Sequence, residues 1–247
     1  MMVLPHHDEM DRYAKGSRFF LFDARVKLAS TVGLILTAAF LRDLTSLLVL
    51  LAFVIIMLIL AAVPAHHIAE SYLLALPFIA VASLALAFTS TWSNAEMMFV
   101  RISASVLALI LLTTTTPFFG MMSAFRWFRL PKVLTNLILF TYRFIFVLQD
   151  EAARMRLARK ARGFTGGGHL FDKHAFRTLS SGIGMIFVRS SQRGSDMFDA
   201  LLMRGFDGEI RTIRRPKVQA RDAALAMAFG TACAVSIWLQ NGVIAWP

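Results

Sequence analysis

Two arginines stand out by their position. Arg162 lies in Ala161-Arg162-Gly163-Phe164 and Arg204 in Met203-Arg204-Gly205-Phe206. Each closes a stretch of helical character, and the glycine that follows suits a helix C-cap. A cation in the last turn is favoured by the helix macrodipole. Arginine also offers a planar fork of five N–H donors that matches a carboxylate. The chemistry on offer is recognition, with no bond made or broken. Two ordinary capped helices with cationic last turns would carry the same triplets, and Arg-Gly-Phe alone does not separate the readings. Two equivalent arginine tips do suit a partner with two equivalent receiving sites.

The sets that would support catalysis are missing from the sequence. No G-x-x-x-x-G-K-[ST] occurs, and Gly166-Gly167-Gly168 lacks the lysine and the preceding strand of a P-loop. H-E-x-x-H is absent, and no Cys or His group has zinc spacing. The histidines fall as His6-His7, His66-His67, His169 and His174. Adjacent helical residues point ~100° apart, so His66-His67 reads as an interfacial pair and not as a metal site. Cys233 stands alone in an apolar block and reads as a packed thiol. No catalytic residue, bound metal or cofactor is expected.

The arginines need rigid elements behind them. Leu130-Pro131 has the form of a helix start, because proline at the first position loses no needed hydrogen bond. Nothing breaks that helix before Gly163, which gives about 32 residues and ~48 Å. Its first half is apolar, and its second half, from Asp150-Glu151 to Arg162, is a cationic rod. A flexible turn is expected over Thr165–His169, then a second helix over Phe176–Met203, weakened by Gly182, Gly184 and Gly194.

Around these helices the chain is membrane-like. Of 247 residues 57% are hydrophobic and 17% charged, too few charges to cover a soluble domain of this size. Leu44–Val63 is twenty residues without a charge, enough to cross ~30 Å of hydrocarbon. Ser71–Thr89, Ile102–Phe119, Lys27–Leu41 and Ala223–Trp246 supply further blocks. The expected fold is an all-α integral membrane protein with about five transmembrane helices. The expected organisation is 1–118 with four spans, a coupling-helix segment at 119–222, and a last span at 223–247.

Charge orients it. Of 26 lysines and arginines, five lie in 1–27 and nineteen in 119–222, and only Arg42 and Arg101 lie elsewhere. The positive-inside rule then puts the N-terminus and the basic segment in the cytoplasm, with Arg42 and Arg101 in outer loops. Val133–Leu148 is apolar enough for a sixth span, but it contains Asn136 and Arg143. A central arginine costs at least ~2.5 kcal/mol, so this stretch is expected to lie against the membrane face or the other spans. No signal peptide is expected, because the first 27 residues are polar. The basic segment carries a net charge of +11 with its phenylalanines on apolar faces, which favours lipid head groups and an acidic protein groove over nucleic acid.

Several ordered stretches carry a family resemblance. They are Ser17-Arg18, Asp23-Ala24-Arg25-Val26-Lys27-Leu28, Leu130-Pro131, Tyr142-Arg143-Phe144, Asp150-Glu151, Val188-Arg189-Ser190-Ser191-Gln192-Arg193 and Arg204-Gly205-Phe206-Asp207-Gly208-Glu209. Together they resemble the transmembrane T component of energy-coupling factor importers, in the CbiQ/NikQ branch for cobalt and nickel. Ala24 stands where that family usually has proline. The resemblance implies a non-catalytic transporter subunit in a bacterial cytoplasmic membrane, with cobalt favoured over nickel. It implies that Ala161-Arg162-Gly163 and Met203-Arg204-Gly205 insert into grooves of a CbiO-like ATPase dimer. It further implies a CbiM-like substrate-binding membrane subunit and a small CbiN-like subunit as partners. The rivals are a membrane-embedded enzyme, for which the spans offer only Ser, Thr and Tyr72, and a secondary carrier, which would show intramembrane charges.

Overall fold

The computed structural model describes residues 17–89, 92–163, 173–208 and 220–244. Thr165–His169, His6-His7, Phe164, Glu209 and Trp246 lie outside the described residues. After a 3-10 turn at Arg18–Leu21 the helices are α1 (Ala24–Phe40), α2 (Leu44–Leu60), α3 (Ala65–Thr89), α4 (Trp92–Thr115), α5 (Phe118–Trp127), α6 (Lys132–Ala161), α7 (Lys173–Met203) and α8 (Ala220–Ile244). They form two compact units, α1–α5 with α8, and α6 with α7.

In the first unit Asp23 caps α1, its side chain accepting the amide of Arg25 at 3.1 Å. That satisfies one of the orphan donors of the first turn. Leu34 and Ala38 of α1, Leu47 and Leu50 of α2, and Ala104 and Ala108 of α4 are shielded from solvent. Phe53 of α2 meets Phe229 of α8 edge-on at 5.2 Å. The outward faces are apolar too: Leu74, Phe78, Val81 and Phe88 of α3 are exposed. A helix apolar on every side belongs in lipid.

The expected spans fall on α1, α2, α3, α4 and α8. Of these, α3, α4 and α8 are long and apolar enough to cross a membrane, and α2 is a shorter apolar helix of 17 residues. Seventeen residues reach ~26 Å, slightly short of the hydrocarbon core. Val133–Ala161 also qualifies by length and composition, whereas the sequence expectation puts Val133–Leu148 against the membrane face or the other spans. Arg101 is not in a loop. It lies inside α4, because nothing breaks the helix that begins at Trp92, and its Nη2 donates to the Leu41 carbonyl at the end of α1. A guanidinium there answers both an orphan carbonyl and the negative end of the helix dipole.

Three elements meet at a buried charge cluster. Lys27, Asp23 and Asp222 are each no more than 6% exposed. Lys27 Nζ donates to the Thr115 carbonyl in the last turn of α4 at 2.9 Å. The backbone N–H of Asp23 donates to Asp222 Oδ1, in the first turn of α8, at 2.7 Å. Both carboxylates attract the Lys27 ammonium. Asp23 Oδ2 has no hydrogen-bond donor among the described residues, so the lysine's charge is what offsets its burial.

Removing one member should expose that cost. Asp222→Leu is expected to destabilise the detergent-solubilised protein by ~3–5 kcal/mol, seen as a lower thermal unfolding midpoint. Adding Lys27→Met should deepen the loss, because the Asp23 carboxylate is then buried without a cation. An unchanged midpoint in Asp222→Leu would mean that the cluster contributes nothing to stability.

Candidate functional site

The second unit positions both arginine triplets. Pro131 is the N-cap of α6, and the helix then runs unbroken for 30 residues through Asn136 and Arg143 into its charged half. At its end the Arg162 N–H donates to the Arg159 carbonyl at 3.1 Å and the Gly163 N–H to Lys160 at 3.0 Å. The end of α7 repeats this. Gly205 N–H donates to Leu202 at 2.9 Å, and Phe206 N–H reaches back to Leu201 at 3.0 Å. That pair of bonds is a Schellman motif, which satisfies carbonyls the helix leaves open. Gly163 and Gly205 hold φ of +82° and +74°. A Cβ added at either would meet nothing within 4 Å, so the backbone conformation and not crowding calls for glycine.

All six triplet residues, Ala161, Arg162, Gly163, Met203, Arg204 and Gly205, are exposed. Met203 is 91% exposed, the highest value among the described large hydrophobic residues. An apolar side chain so presented is set up for contact with a partner.

The two arginines do not meet. Four contacts fix the register of α6 against α7 and the segment after it. Glu151 pairs with Arg189. The Arg159 guanidinium lies over Gly182, where a Cβ would come within 3.2 Å of both terminal nitrogens. Phe206 packs edge-on against Phe140 at 6.1 Å, and Asn136 Nδ2 donates to the Gly208 carbonyl at 2.6 Å. As residue numbers rise along α6 they fall along α7, so the helices are antiparallel. Arg204 therefore lies level with Phe140, and Arg162 stands twenty-two residues further along, roughly 33 Å away at 1.5 Å per residue.

Arg204 also lines a cleft of about 670 Å³ between α6 and α7, together with Arg143, Glu151, Arg189, Arg193 and Asp196. Glu151 and Arg189 are marks of resemblance in the sequence, but nothing in the sequence pairs them. A carboxylate embedded in an otherwise cationic helix was the available signal. Nothing local pointed to Asn136 as an anchor for the segment beyond Gly205. Elsewhere His66 is paired with Glu70 at 3.5 Å, both exposed. Among the described residues no three His, Cys, Asp or Glu side chains are grouped to hold a metal ion.

The family model described as CbiQ, cobalt transport protein, matches residues 17–214, which include α1–α7 and both triplets. The chain belongs to the CbiQ family. The cobalt transport protein CbiQ of Rhodobacter capsulatus is 30% identical over 153 residues, 62% of this chain and 57% of that one. A putative fused cobalt transport protein CbiMQ of Methanocorpusculum labreanum is 27% identical over 157 residues, 61% of this chain and 26% of that one. An uncharacterized protein of Methanocaldococcus jannaschii is 29% identical over 126 residues, 50% of this chain and 46% of that one. The chain thus spans about half the length of the first of the curated relatives it matches.

The helix ends of this CbiQ-family chain lend themselves to a direct test. Gly205→Ala forces a Cβ into the left-handed region and is expected to cost about 1–2 kcal/mol. Amide hydrogen exchange in the last turn of α7 should rise at least about fivefold. Gly184→Ala, inside the same helix and also in open space, should instead slow exchange slightly. Equal exchange in Gly205→Ala and wild type would remove the conformational reason for that glycine.

Proposed function

We propose that the chain is the transmembrane coupling subunit of an ATP-driven energy-coupling factor importer for cobalt ions. It has no catalytic step of its own; an ATPase dimer hydrolyses ATP, and a separate membrane subunit holds the metal. One observation carries the reading: two exposed arginine tips, built alike, stand at opposite ends of an antiparallel helix pair. A two-fold ATPase dimer presents two equivalent grooves some distance apart, and one arginine can serve each. Arginine suits the task because its fork pairs with carboxylates in two parallel hydrogen bonds, fixing direction as well as charge. A helix pair tied by Glu151–Arg189 moves as a unit, so closure of the dimer would pull both tips together and shift the membrane part as a rigid body.

Ala161-Arg162-Gly163 and Met203-Arg204-Gly205 are then the ATPase-coupling residues, on the cytoplasmic side of a bacterial inner membrane with the N-terminus. The charge asymmetry of the sequence supports that orientation. The names of the relatives support cobalt over nickel, and the fused CbiMQ relative supports a CbiM-like partner. A small CbiN-like subunit is consistent with the same family.

Arg162→Ala and Arg204→Ala, singly and together, test the assignment in cells that express the chain with its ATPase. Each single substitution should lower cobalt uptake by roughly tenfold or more, as loss of a charge-assisted pair of bonds implies. The double variant should fail to co-purify the ATPase. Lysine at the same positions should restore only part of the activity, since an ammonium cannot form the bidentate pair. Normal assembly and uptake in the double alanine variant would overturn the coupling role.

A further inference from the structure

We propose that the cleft between α6 and α7 binds the phosphate group of an anionic phospholipid, with Arg143 and Arg193 as its principal ligands. The cleft adjoins the proposed coupling surface, since Arg204 lines its wall, and the proposal stands on three observations.

The first is charge. Four guanidinium groups line the cleft, from Arg143, Arg189, Arg193 and Arg204, against two carboxylates, Glu151 and Asp196. Glu151 is committed to Arg189 and is largely enclosed, with 14% of its side chain exposed. That leaves three arginines facing one aspartate. Arg143 and Arg193 have no ion-pair partner among the described residues. Cations converging on one cleft repel each other, and an oxyanion between them removes that repulsion while forming charge-assisted hydrogen bonds.

The second is composition of the walls. Phe140, Val147, Leu148 and Leu201 line the same cleft, so apolar surface lies beside the guanidinium groups. A free inorganic anion has no use for that surface, whereas a phospholipid brings an acyl chain and a phosphate on one molecule. The volume, about 670 Å³, falls in the usual range for a bound small molecule, too small for a whole lipid but ample for a head group and the start of its chains.

The third is depth. The cleft spans Phe140 to Glu151 on α6, where the helix changes from its apolar half to its charged half. Apolar sequence partitions to hydrocarbon and charged sequence to water, so that change of character marks the head-group layer. Basic pockets at that level are where anionic head groups are taken up.

The test uses the full chain purified in mixed micelles of phosphatidylglycerol and phosphatidylcholine, with retained lipid read by native mass spectrometry. Wild type should retain phosphatidylglycerol selectively. Arg143→Gln with Arg193→Gln should weaken that retention by at least roughly tenfold, as loss of two charge-assisted contacts implies. Ala200→Asp should act in the same direction by placing a carboxylate on the cleft wall while keeping every arginine. Thermal midpoints within a degree or two of wild type would show that the variants are folded. Millimolar inorganic phosphate should not displace the lipid, since it cannot use the apolar wall. Undiminished selective retention in both variants would overturn the proposal. Displacement by inorganic phosphate would also overturn it, assigning the cleft to a free anion.

Discussion

A buried lysine calls for negative charge around it, and Lys27 brings together the start of α1, the end of α4 and the start of α8. Its ammonium is held by the Thr115 carbonyl and attracted by Asp23 and Asp222. The hydrogen bond from the Asp23 amide to Asp222 joins residues 199 positions apart. The chain leaves the first unit after Arg129 and comes back to it with α8. A buried carboxylate near the start of α8 finds compensation beside Lys27 and the Asp23 amide, so electrostatics favours this return of the chain. Replacing such a cluster wholesale with apolar residues is often neutral, but losing one member leaves an uncompensated charge. The cluster acts less as a source of stability than as a fixed address.

The helix pair α6–α7 works by a different principle. Its described joints include an ion pair, an arginine laid over a glycine, an aromatic contact and an amide hydrogen bond. Much of its surface is open, including Phe176, Phe187 and Phe198 of α7. A helix pair that exposes so much apolar area is made to be covered. The antiparallel arrangement also turns two like sequence endings into two separated tips. Had the helices run parallel, both arginines would have emerged side by side at one end.

Most of the fold class was legible in the chain itself. Uncharged runs of about twenty residues announce membrane helices whatever they pack against, because transfer to hydrocarbon depends on local composition. The ends of α6 and α7 were legible for a similar reason, since capping is settled within one turn by Pro131, Gly163 and Gly205. Arg101 shows the limit. Counted as a cation between apolar blocks, it reads as a loop residue, yet it lies in α4 and caps α1. Charge counting registers how polar a residue is and carries no information about a carbonyl waiting on another helix.

The sequence by itself determined that this is a membrane protein with a strongly basic segment, and that two helices end in arginine and glycine. Only the tertiary structure decided that the Asp23 amide meets Asp222, that Glu151 meets Arg189, and that Arg162 and Arg204 lie far apart along the pair. The reason is range. Hydrophobic transfer and helix capping act over neighbouring residues, so they can be read along the chain. Which carboxylate faces which cation depends on the faces that two helices turn to each other, and that is set when they pack.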